Sequence, residues 1–169
     1  LKLQAISEDI EEALGLKTGK WRSELKKELT AVRPETFELY LKGKYYLSLN
    51  TMEDMQRGLV YLQEAVDKNP SDAEAYAGLA EGYVTWGHGL MPPVDILIKA
   101  REATERALSL DSTNARAWAA LADYHSYFGH DWEKAEYAFK KADSLIPNLA
   151  WNHYHYSWYL ALFGKMNQA

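Results

Sequence analysis

The chain has 169 residues, 47% of them hydrophobic and 25% charged, with a formal net charge of −5 and an isoelectric point near 5.6. That length supports one domain with a core of its own, and the acidic balance gives no reason to expect nucleic-acid binding by this segment. The absence of cysteine excludes disulfides and thiolate metal sites, and no apolar run approaches the roughly 18 residues that span a bilayer.

The chain opens at Leu1 with no charged-then-apolar signal segment, the look of a piece cut from a longer protein. Leu3, Ile6, Ile10, Ala13 and Leu14 have helical spacing, and Gly15 is a stop signal. Trp21, Leu25, Leu29 and Val32 form a second amphipathic stripe that ends before Pro34. Residues 1–33 are therefore expected to be two leading helices, either capping the remainder of the chain or linking it to an upstream domain.

From residue 34 onward two patterns alternate. The first is Leu39, Gly43 and Tyr46, then Tyr76, Leu79, Ala80 and Tyr83, then Trp118, Leu121, Ala122 and His125, then His153, Tyr156, Ser157 and Leu160. The second is a trio with offsets of four and three: Gly58, Leu62, Ala65; Ala100, Thr104, Ala107; Ala135, Phe139, Ala142. Such offsets put each trio on one helical face. Small residues at 43, 80, 122 and 157 let a partner helix approach closely, while the larger members fill the layer between helices. Turns are expected at Asn69-Pro70, Asp111-Ser112 and Pro147-Asn148, and Asp131 is expected to cap the helix that starts at Trp132. The last alanines of the trios lie 42 and 35 residues apart, the length of a two-helix repeat.

These residues resemble the tetratricopeptide repeat, whose first helix carries aromatic, leucine, small and tyrosine positions and whose second carries alanine, aromatic, alanine and proline. Residues 115–148 match best. The resemblance implies an all-α, right-handed superhelical solenoid with units at about 34–70, 71–112 and 113–148 and an incomplete one at 149–169. The second unit departs by carrying extra chain, Gly87-His88-Gly89-Leu90-Met91-Pro92-Pro93, read as a surface loop or partner contact with the next helix starting near Pro93. The run from Pro34 through Tyr46, the run from Ala75 through Ala80 and the run from His153 through Leu160 also resemble the carboxyl-terminal repeats of bacterial regulators that carry a TolB-like domain. That likeness implies a cytoplasmic protein in which an output module precedes the repeats.

The resemblance further implies that the first helices line a concave face. Their inward positions are Phe37, Tyr40, Lys44 and Ser48, then Glu74, Ala77, Glu81 and Thr85, then Arg116, Ala119, Asp123 and Tyr127, then Trp151, Tyr154, Trp158 and Leu162. Small alanines at the centre leave room, acidic groups set register, and aromatics at the ends supply rigid apolar area for a protein or peptide partner. The Lys, Asn and Arg set that related domains use to clamp a terminal carboxylate is not found at the matching places. Two other readings stay open: homo-oligomerisation through Trp151, Trp158 and Phe163, and small-molecule sensing in a pocket of Tyr40, Tyr127 and Tyr154.

No constellation calls for catalysis, a cofactor or a metal. The chain has no glycine-rich phosphate loop, no HExxH and no GxSxG. Of the five histidines, His153 and His155 point about 200° apart on a regular helix and cannot share one ion. His125 takes a core tyrosine position, His130 falls in a turn, and His88 has no partner nearby in sequence.

Overall fold

A computed structural model describes residues 34–89 and 95–165. The chain divides into two units, Leu1–Pro34 and Glu35–Ala169. The two leading helices expected over residues 1–33, and residues 90–94 of the inserted loop, lie outside the described residues.

Seven α-helices follow in order among the described residues: α1 (Pro34–Ser48), α2 (Met52–Lys68), α3 (Ala73–Gly87), α4 (Ile96–Leu110), α5 (Ala115–Tyr124), α6 (Trp132–Leu145) and α7 (Ala150–Leu162). No strand occurs among those residues. A π-helical turn, His125–Gly129, extends α5. Each odd-numbered helix packs against its even-numbered neighbours, and α3, α5 and α7 also touch one another in succession. This is the all-α solenoid expected from the repeat.

Local chemistry accounts for the boundaries. Thr51, Asp72, Asn114 and Asp131 each accept a hydrogen bond from the backbone N–H three residues on, at Asp54, Ala75, Ala117 and Lys134, closing the amino ends of α2, α3, α5 and α6. Even-numbered helices stop at Lys68, Leu110 and Leu145, at or just before the predicted turns. The helix expected near Pro93 begins at Ile96. His130 adopts a left-handed conformation, φ 48°, where the chain leaves the π turn.

All nine residues of the trios are buried, and Ala65, Ala107 and Ala142 have no exposed surface. The glycines of α1 and α2 permit the tightest approach. A Cβ on Gly43 would stand 2.5 Å from Leu62 Cγ, and one on Gly58 would stand 2.9 Å from the Gly43 carbonyl oxygen. Thr104 takes an aromatic's place in its trio, and its hydroxyl is satisfied by donating to the Ala100 carbonyl at 2.7 Å within the same helix.

Tyr159, 4% exposed, closes the seam between α6 and α7. Its hydroxyl donates to the Trp132 carbonyl at 3.0 Å and lies 3.4 Å from Glu136 Oε2. Burial, followed by the nearby Glu136 charge, pushes this phenol up to about 12. The folded state thus favours neutral Tyr159. Its contribution to stability is complete below the ordinary tyrosine value of about 10 and is lost as pH rises through about 12. Denaturant titrations between pH 9 and 12 should show Tyr159→Phe losing less stability across that window than wild type; equal losses would count against the buried phenol.

Candidate functional site

Several of the predicted concave residues gather into two polar clusters, each built on an acid one place after the small residue of its helix. In the first, Glu81 of α3 has a side chain only 3% exposed. It pairs with Lys44 of α1 through Oε2, and Arg116 Nη1 of α5 stands 3.4 Å from its Oε1. Arg116 Nε also lies 3.7 Å from Glu74 Oε2, and Asn114 donates to Glu74 Oε1 at 2.9 Å while capping α5. Burial holds the Glu74 carboxyl above the usual range, with Arg116 opposing it. Tyr40 is half-buried, lying near Gly78, and burial raises its hydroxyl strongly. Phe37, 45% exposed, stacks beside it with ring centroids 6.3 Å apart.

The second cluster is centred on Asp123 of α5, which has no exposed surface. His155 Nδ1 of α7 lies 2.9 Å from Asp123 Oδ1, and His88 Nε2, at the carboxyl end of α3, lies 3.2 Å from Oδ2. Neither contact has hydrogen-bond direction: both Asp123 oxygens and His155 Nδ1 are buried without a hydrogen bond. Aromatic rings wall the cluster. Trp151 lies over His155 at 4.1 Å, Tyr154 meets its edge at 4.9 Å, and Tyr127 lies 4.3 Å from His88. Tyr127 reaches this place from the π turn, a distortion that recurs near functional sites.

The structure departs from the sequence reading in several respects. Ala77 and Ala119 do not leave open room: both are wholly buried, Ala77 against Ala107 and Ala117, Ala119 against Ala115, Ala142 and Leu149. Small side chains drew the neighbouring helices into contact. The acids Glu81 and Asp123 are interior groups, so they are not free to set a peptide's register. Tyr40 falls in the first cluster and Tyr127 and Tyr154 in the second, so no contact joins the three proposed to line one pocket. His125 is half-buried against Tyr124, and burial lowers its ring below the ordinary histidine value. His88 does have partners, which folding brings from α5 and α7. His153 turns outward, its Nε2 2.5 Å from the Pro147 carbonyl oxygen, while His155 turns inward.

His155 was legible in part. It stands two places before Ser157, a position held by Gly78 and Ala120 in earlier helices, both buried. His88 follows the end of its helix in the inserted segment, where the repeat register gives no guidance.

Apolar side chains, most of them aromatic, remain exposed beside the second cluster. Tyr127 is 38%, Tyr154 59% and Trp158 53% exposed, with Leu162 one turn beyond at 66%. Tyr154, Trp158 and Leu162 recur every four residues and form one stripe along α7.

The fold is that of a tetratricopeptide-repeat solenoid, a helical-repeat scaffold. It is similar to the crystal structure of TTC0263, a thermophilic TPR protein of Thermus thermophilus, with a TM-score of 0.59 and 17% identity over 79% of this chain and 68% of that one. Two crystal structures of MamA align with TM-scores of 0.54 and 0.55 at 23% and 22% identity, covering 84% and 95% of this chain and 76% and 80% of theirs. No protein-family model matches the chain. In sequence it is 28% identical over 151 residues to the transcriptional regulator HilA of Salmonella typhimurium and, equally, to that of Salmonella typhi. The match covers 89% of this chain but spans only 27% of the length of those regulators. No helix among the described residues is long and apolar enough to cross a membrane.

Proposed function

We propose that this chain is the protein- or peptide-binding segment of a longer bacterial regulator, with repeat units at about 34–70, 71–112 and 113–148, an incomplete unit at 149–169, and residues 1–33 as a leading cap or linker. The scaffold fold supports a binding role without chemistry, and the likeness to HilA supports a regulatory and cytoplasmic setting. The observation that carries the reading is the stripe of Tyr154, Trp158 and Leu162 beside Tyr127, rigid apolar area left in solvent. Binding energy then comes from aromatic anchors at this end, with Phe37 and Tyr40 at the other, since Glu81 between them is already paired with Lys44 and Arg116.

The test is selection from a displayed random-peptide library. The wild-type chain should enrich sequences with apolar anchors, and a Tyr154→Ala/Trp158→Ala variant should bind those peptides at least tenfold more weakly. Equal binding by the variant would defeat the reading. The same surface could instead pair two copies, which light scattering across a concentration series would reveal as a dimer lost in that variant.

A further inference from the structure

We propose that His88, Asp123 and His155 form a binding site for one divalent transition-metal ion of the zinc class. The three ligand atoms come from the end of α3, from α5 and from α7, and all lie within 4.8 Å of one another. Two imidazole nitrogens and a carboxylate suit zinc and its neighbours, whereas calcium and magnesium favour all-oxygen sets. With metal–ligand bonds of about 2.0–2.2 Å, tetrahedral ligand pairs stand roughly 3.4 Å apart. The observed contacts of 2.9 and 3.2 Å end on different oxygens of Asp123, so binding through the trio needs side-chain rotations that also draw the widest separation, within 4.8 Å, toward that spacing.

The orphaned atoms argue for an ion over a hydrogen-bonded His–Asp–His relay. A relay would aim N–H groups at the carboxylate, yet Asp123 Oδ1 and Oδ2 and His155 Nδ1 are all buried without a hydrogen bond. An unrelieved buried carboxylate is costly, and leaving three such atoms together compounds the cost. A cation at their common point would use a lone pair from each. The surroundings suit it: Trp151 and Tyr127 fix the two imidazole planes, and the His88 side chain, 25% exposed, provides the route in. The ion would tie three successive first helices together. This site does not depend on the peptide-binding reading.

The experiment adds zinc chloride to the chelator-stripped chain and follows calorimetric heat and thermal unfolding. One ion per chain should bind, and at a hundredfold excess over Kd the unfolding midpoint should rise by about 5–10 °C. His88→Gln alters a partly exposed residue at a helix end, so the fold should survive, and it should weaken binding at least tenfold and remove the shift. His155→Gln should do the same, while His130→Gln/His153→Gln should bind as wild type. No stoichiometric heat or midpoint rise in wild type would overturn the proposal. So would unchanged zinc affinity in His88→Gln, or loss confined to the His130/His153 variant.

Discussion

Replacing Phe139 with alanine is expected to lower the unfolding free energy by about 3–5 kcal/mol. Its side chain has no exposed surface and is the largest of the fully buried ones. It stacks on Tyr156 at 5.0 Å and meets Tyr159 at 5.6 Å, so its ring joins α6 to α7. Its carbonyl also accepts a hydrogen bond from the buried amide of Asn152 at 3.2 Å, so a shift in this stretch of α6 would strain a second tie to α7. Because a domain of this size holds only about 5–15 kcal/mol in total, the denaturation midpoint should drop by about a fifth or more. Phe139→Leu keeps most of the apolar volume and should cost less than half as much. Chemical denaturation followed by tryptophan fluorescence measures both. A loss below about 1 kcal/mol for alanine would mean that this seam is not packed as described.

The second large effect concerns Glu81. Lys44→Met with Arg116→Met removes both cations and leaves a carboxylate 3% exposed with no counter-charge. Breaking a buried pair from one side costs about 3–5 kcal/mol; the two cations are 30% and 35% exposed, so about 2–4 kcal/mol is expected. Adding Glu81→Met should recover most of that loss, because the penalty belongs to the stranded charge and not to missing attraction. The comparison of double and triple variants by equilibrium unfolding is decisive. A triple variant no more stable than the double would show that the cations act through packing of their stems.

The two expectations rest on different kinds of information. Phe139 was legible from its place in a repeated trio, because burial follows helical spacing when units stack in register. The same logic located Gly58, Leu62, Ala100 and the other trio members, as well as the helix stops and the Asp131 cap. Where the sequence reading misjudged a position, neighbouring helices were the cause. Ala77 and Ala119 have the right spacing to face the concave side, but smallness invites close approach, and close approach closes the space they were expected to leave. Glu81 and Asp123 looked like groove acids because a carboxylate carries no sign of its burial. Only folding brings Lys44 and Arg116 to Glu81, and His88 and His155 to Asp123.

By itself, then, the order of residues determined the helices, their pairing and the repeated apolar seam, since each depends on offsets of three and four along one chain. Tertiary structure decided which polar groups meet. His88 and His155 are 67 residues apart and approach Asp123 only because α3, α5 and α7 stack in succession, with a π turn bringing Tyr127 alongside. Distances across three helices depend on how closely each pair packs, and that is the sum of many side-chain volumes rather than a pattern in any one of them.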